Sequence, residues 1–430
     1  MLFGVPGLKR ALILLSFLLP VSLLFLSCGS SPSSRGGGGS GLKFRAFISN
    51  VLAGVQIIDA EKDVRAPVQA ISAGATPGLM VVTPNRVQTL VFSKSDNKLT
   101  LISNAGESTS AQITLPGFTE SFVVSPDSLT AYIAVPTAPV VAQSPGAIEV
   151  LNMNTGAITA ELDVPAVRYL ALGHSGNRLL AFSDNSNSVA VISFGTGNPT
   201  VTFLAGFDRP VTAFFSGDDN TAYVVNCGLE CGGTQASVQT LDLATNTAGA
   251  PVGVCDANAL CAASFAVVDG TTMYLAGTPY NLDGTPAQSC TGQTTAATSC
   301  GLLTVFDLTS MTVTRSGIII TDGYHNRMAL GANGQVFVGA HSCSEIIPPI
   351  PPPPDAEVRG CLSIYNTLTG AVVIPPASGD VTGIEPISNR NVVYLAQGGE
   401  LQIYDTTTDK LQKTQIDISG EVIDVKTVDF

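Results

Sequence analysis

The chain has 430 residues, a net charge of −13 and 12% charged residues, with nine Cys, three His and no Trp. Its acidic balance argues against nucleic acid and against anionic membrane surfaces as partners. Without Trp, only Tyr and Phe remain to stack against a sugar ring.

Residues 1–27 read as an export signal. Lys9 and Arg10 form a positive start, Ala11 to Leu26 is an apolar run, and Phe25-Leu-Ser-Cys28 resembles a bacterial lipobox, although Phe stands where Leu is usual. The run is shorter than the roughly 18–20 residues a spanning helix needs. Cleavage there would leave Cys28 as a lipidated N-terminus; an ordinary signal peptide and an uncleaved anchor are the alternatives. Stable anchoring takes more than one acyl chain. Residues 28–41 are a Gly/Ser-rich tether, in keeping with a flexible leash. By resemblance to enterobacterial sorting, Gly29 after the Cys implies the outer membrane. The expected location is therefore the bacterial cell envelope, lipid-anchored, on a side the sequence does not fix. Removing residues 1–27 takes away two cations and no acid, so the net charge falls from −13 to −15.

From residue 42 onward one short apolar pattern ending in Asp, Asn or Ser recurs eight times. Its copies begin at Val55, Leu99, Ile148, Val189, Val238, Leu303, Leu362 and Leu401, for example Val55-Gln-Ile-Ile-Asp59 and Leu401-Gln-Ile-Tyr-Asp405. About ten residues before each copy lies another strand, such as Ala46-Phe-Ile-Ser49 or Val393-Tyr-Leu-Ala396. Earlier still come segments such as Tyr169-Leu-Ala-Leu172, several leading into tight-turn sequences like Ser125-Pro-Asp-Ser128. A fourth strand follows each copy, for example Ile158 to Val164 or Leu411 to Ile418. Four strands repeating at roughly 40–50 residues are the signature of a propeller blade.

The expected fold is all-β: a single closed β-propeller over residues 42–430. Eight blades are favoured, with Val422 to Val428 supplying the innermost strand that the first blade lacks. Seven blades follow if the weak unit around Val189 is irregular.

The units resemble the YVTN/YncE-like β-propeller repeat family. Ala46-Phe-Ile-Ser-Asn50, Gly54-Val-Gln-Ile-Ile-Asp59, Ala73-Gly-Ala-Thr-Pro77 and Val81-Val-Thr-Pro84 carry that likeness, and Ser125-Pro-Asp127 and Asn154-Thr-Gly156 add to it. The resemblance implies a fold and little about function, because these residues build turns and strand cores.

Eight cysteines remain beyond Cys28, as neighbours: Cys227/Cys231, Cys255/Cys261, Cys290/Cys300 and Cys343/Cys361. An export signal and an even count favour four local disulfides. Thiolate–metal sites are the weaker alternative, since the spacings are unequal and lack His. Three pairs lie in second-to-third strand connections and Cys255/Cys261 in a fourth-to-first connection. In a blade of alternating strands these all emerge on one face, where a scaffold would present a binding surface. The run Ile347-Pro-Pro-Ile-Pro-Pro-Pro-Pro354 prefers polyproline II, as a stiff loop or a docking segment.

Candidate chemistry is sparse. Glu120, Arg168, Arg209, His325 and Arg327 sit where innermost strands begin, and are the candidates for a polar-ligand site at the channel mouth. They would equally solvate the axial pore of any such ring. His174 falls in a solvated turn, and His341 at a loop base. No nucleophile elbow, haem site, calcium loop or phosphate loop is present; Asn281-Leu-Asp-Gly284 is too short for a calcium loop and reads as a turn. No cofactor, no metal and no catalytic residue is implied.

These observations lead to a lipid-anchored, extracytoplasmic propeller acting as a binding or scaffold module, monomeric, with an unidentified protein or small polar ligand as partner. The membrane is touched only through the N-terminal lipid, and no nucleic acid is bound. The alternative is a lactonase-like hydrolase at the channel mouth, which would need converging carboxylates.

Overall fold

The computed structural model describes residues 39–195, 197–287, 300–344 and 357–429. The signal segment, Cys28, most of the tether, Cys290 and the proline run lie outside the described residues. Eight antiparallel sheets follow one another along the chain, with strands in sequential order except in the closing one. Seven have four strands, and in the fifth two short segments, Thr247–Ala248 and Val252–Gly253, both pair with the third strand and share the outer place. Blade 1 takes Arg45–Asn50, Gly54–Asp59 and Val64–Arg65 from the start of the domain and Val422–Thr427 from its end. Innermost strands of blades 2 to 8 are Pro77–Val82, Ser121–Val124, Val167–Leu172, Pro210–Phe215, Phe265–Asp269, Tyr324–Leu330 and Val381–Pro386. The unit around Val189 forms a regular blade of four strands, which settles the number at eight.

Burial explains the pattern read from the sequence. Second and third strands are sandwiched between neighbouring blades, so both faces are apolar and buried, as in Gln88–Ser93 and Gly54–Asp59. Outer strands alternate toward solvent, as in Ala157–Asp163. Buried apolar clusters fill the wedges between adjacent blades; one packs Leu180, Phe182 and Val191 of blade 4 against Ala213, Val224 and Leu241 of blade 5. Two outer strands are shorter than the sequence implied. Blade 1 pairs only Val64–Arg65 before Pro67, which has no amide proton to donate, with a single further bridge at Ile71. Blade 8 likewise pairs only Lys410–Leu411, with a bridge at Ile416.

The seam is closed by more than strand pairing. Arg45 binds Asp429 through Nε and Nη2, both at 2.7 Å, and Glu107 of blade 2 through Nη1 at 2.8 Å. On the other side, Arg390 of blade 8 grips Asp63 of blade 1 at 2.6 and 2.7 Å, and the Tyr394 hydroxyl donates to the same carboxylate. Hydrogen bonds from Arg390 and Tyr394 hold the Asp63 carboxyl below its ordinary range, against the opposing effect of burial.

Candidate binding site at the channel mouth

The innermost strands start at the face where second-to-third and fourth-to-first connections emerge, and there their pairing is irregular. In blades 4, 5, 7 and 8 the register with the second strand skips Arg168, Val211, Asn326 and Thr382 respectively. Such a β-bulge reverses the in–out alternation beyond it and re-aims side chains. The result is a mouth lined by residues that simple alternation would assign differently.

Behind the mouth lies a chamber of about 930 Å³. Leu79, Val81, Phe118, Phe122, Val211 and Phe265 supply apolar wall from blades 2, 3, 5 and 6 and the connection into blade 3, while Asn326, Arg327, His341 and Thr382 supply polar groups from blades 7 and 8. Of the five candidates, Glu120 and Arg327 line this chamber. Arg168 and Arg209 border a smaller cavity of about 280 Å³ beside it, with Tyr169, Tyr324 and Cys231. Arg168 ties the two regions together: its Nε donates to Glu120 at 2.6 Å and its Nη1 to Asp184 at 3.2 Å, with the guanidinium 5.6 Å from the Tyr169 ring centre. Arg209, in the left-handed region at φ 56°, donates from Nε to the Gly232 carbonyl at 3.2 Å, bracing the loop closed by Cys227 and Cys231.

His325 does not line the mouth. It precedes the bulge, pairs with Ala340 and points into the blade, fully buried, with Nε2 3.0 Å from the Thr321 carbonyl. Burial pushes its pKa down to about 4, so the ring is neutral at pH 7. His341 does face the chamber, with Nδ1 3.5 Å from Asp380. His174 is solvent-exposed on the opposite face and contacts Asp219 at 2.9 Å.

The mouth face carries the cross-linked loops. Cys227–Cys231, Cys255–Cys261 and Cys343–Cys361 are disulfides. Cys300 is also disulfide-bonded and leads directly into the third strand of blade 6, Gly301–Asp307. Such bonds persist in oxidising compartments, which makes this an extracytoplasmic domain. Leu52, Val141 and Leu282, at 82%, 92% and 90% exposure, stand on second-to-third connections of this face. The opposite face presents Leu129 and Leu368 on short turns.

Glu230 is a residue that sequence reading passed over. The disulfide on either side of it closes a single 3-10 turn, Gly228–Cys231, and the carboxylate reaches toward blade 6 to accept the Thr278 amide at 3.1 Å. Burial pushes its pKa up to about 8, against hydrogen bonds from Ser264 and Thr278. The only available signal was its position between Cys227 and Cys231, which are 4 positions apart in sequence.

Among the described residues, no group of three or more His, Cys, Asp or Glu is arranged to hold a metal ion. No helix among them is long and apolar enough to cross a membrane.

No protein-family model and no curated protein sequence matches the chain. Solved structures do. Dihydro-heme d1 dehydrogenase NirN, in complex with DHE, is similar at a TM-score of 0.61 and 13% identity, over 92% of this chain and 76% of that one. A eukaryotic initiation factor is similar at a TM-score of 0.51 and 13% identity, over 90% of this chain and 98% of that one. At such identities the likeness is one of fold, and the fold is the β-propeller.

Proposed function

We propose that the protein is a non-enzymatic binding module of the bacterial cell envelope, tethered through a lipid on Cys28, that engages a protein partner with its disulfide-stapled face. One observation carries this reading: the disulfides share a face with Val141 and Leu282, the two most exposed large apolar side chains among the described residues, and with Leu52. Rigid loops on a closed ring lose little conformational entropy on binding, and apolar tips rimmed by polar residues are what a partner would cover. A hydrolase in the manner of lactonases would draw on converging carboxylates. Glu120 is the one carboxylate lining the chamber among the described residues, and Arg168 already neutralises it.

The test is a native-gel assay of detergent-solubilised envelopes. Replacing Leu52, Val141 and Leu282 together with Asp should collapse any higher-mass complex to the free chain while leaving the melting temperature unchanged. Replacing Leu129 and Leu368 with Asp should leave the complex intact. The reverse pattern, or lactone hydrolysis by the purified chain that Arg168→Ala abolishes, would contradict the proposal.

A further inference from the structure

The axial chamber is divided by chemistry. Its wall over blades 2 to 6 is largely apolar, with Phe118, Phe122 and Phe265 prominent, and its cationic corner lies at blades 7 and 8, around Arg327. At about 930 Å³ it falls within the range of small-molecule sites.

Arg327 is held but not neutralised. Nε donates to the Thr382 carbonyl at 2.8 Å and Nη1 to the Asn326 carbonyl at 2.8 Å. Those two bonds fix the plane of the guanidinium and leave Nη2 without a protein acceptor among the described residues. Nor does any carboxylate lie within ion-pair distance of it among them. Glu120 is taken by Arg168 at 2.6 Å, and the other charged side chain lining the chamber, Lys94, is an exposed cation at the rim. A chain of net charge −13 thus encloses a chamber whose uncompensated charges are positive. Fixed cations against apolar walls focus the field on an incoming anion.

We propose that the chamber binds an amphiphilic carboxylate: an aliphatic or aromatic body of roughly 12–18 carbons against the Phe, Leu and Val wall, and a carboxylate on the free Nη2 edge of Arg327. A guanidinium already oriented by two backbone carbonyls offers its remaining N–H groups in the geometry that carboxylates accept. The site is separate from the partner-binding reading of the loop face, and neither depends on the other.

The probes are dodecanoate and dodecyltrimethylammonium, which share a chain and differ in the sign of the head. Each is titrated calorimetrically, below its micelle concentration, into the full mature chain carrying Cys28→Ala, which needs no detergent. Dodecanoate should bind saturably at one site, and the cation about tenfold or more weakly, a difference expected of one charge-assisted contact. Arg327→Gln should erase that preference while leaving residual binding of both chains. Leu79→Trp, which fills the wall, should weaken both alike. Should Arg327→Gln fail to fold, Lys94→Gln at the exposed rim should still reduce the preference, read beside an unchanged melting curve. Absence of saturable dodecanoate binding, equal affinity for the two heads, or an unchanged preference in both charge variants would overturn the proposal.

Discussion

The hydroxyls of Tyr169 and Tyr324 meet at 2.6 Å, although one belongs to the innermost strand of blade 4 and the other opens that of blade 7. The contact is a strut across the channel mouth. Tyr169 borders both the large chamber and the smaller cavity, so the strut stands where the two adjoin. Gly323, at φ 99°, turns the chain just before Tyr324, and its carbonyl accepts the Thr278 hydroxyl at 2.9 Å. Burial first, and then the neighbouring Tyr324, raise the Tyr169 pKa, so the phenol stays protonated and able to donate.

Removing either hydroxyl should cost about 1 kcal/mol or less, the usual net worth of one hydrogen bond. Tyr169→Phe, Tyr324→Phe and the double variant form a cycle read by urea denaturation. The double variant should be no less stable than the worse single one, because each single already breaks the strut. Simple additivity of the two losses would show that the hydroxyls act separately.

Ring closure should depend on Arg45 far more than on Arg168. The Arg45 side chain is only 10% exposed and serves two carboxylates. Replacing it with Met leaves Asp429 and Glu107 without their cation, at a cost of roughly 3–5 kcal/mol. Arg168→Met, at 32% side-chain exposure, should cost about 1 kcal/mol or less. Denaturation midpoints for the two variants give the comparison, and equal losses would refute the clamp. The Asp63 and Glu107 carboxyls both sit below their ordinary range. Their contribution is present above the unfolded pKa and is lost as pH falls through the depressed folded values, so stability should decline in acid.

Glu149 reverses that sign. Buried on the third strand of blade 3 and directly opposite Glu161, its carboxyl is pushed from 4.5 up to about 7, chiefly by burial and secondly by Glu161. A folded pKa above the unfolded one means that the folded chain holds the extra proton. The stability is intact below about pH 4.5 and erodes as pH rises through about 7. Glu149→Gln should therefore stabilise the domain at pH 8 by up to about 3 kcal/mol and change little at pH 4. A gain independent of pH would contradict this.

The disulfides should differ in worth according to the segment they close. Cys343 and Cys361 are 18 positions apart in sequence, Cys227 and Cys231 only 4. Cys361 also packs in the core between blades 7 and 8. Changing the longer pair to Ser should cost about 3 kcal/mol and the shorter distinctly less, with the ring still folded. Non-reducing peptide mapping should return Cys227–Cys231, Cys255–Cys261 and Cys343–Cys361, with Cys290–Cys300 as the fourth bond. A cross-blade pair would break the picture of local staples.

The architecture was legible because a propeller repeats its burial environment. Val189 to Ile192 and Leu401 to Tyr404 look alike because both lie between two blades. The mouth was less legible. His325 and Arg327 are two residues apart, and uninterrupted alternation would send both to the same side. The bulge between them buries one in the blade and turns the other into the channel. A one-residue register shift leaves composition and periodicity almost untouched, so no sequence pattern announces it. The Tyr169–Tyr324 strut was hidden for a different reason: it joins positions 155 residues apart across an axis that only the closed ring defines.

The central claim is that the stapled face is the working surface. Site-specific photo-crosslinking in intact cells tests it most directly, with a benzophenone amino acid placed singly at Val141, Leu282, Leu129 or Leu368. All four positions are solvent-exposed, so each variant should fold. The account predicts a discrete crosslinked protein from Val141 and Leu282 on the stapled face, and none from Leu129 and Leu368 on the opposite one. A crosslink that forms only from Leu129 or Leu368, or equally from all four positions, would contradict it.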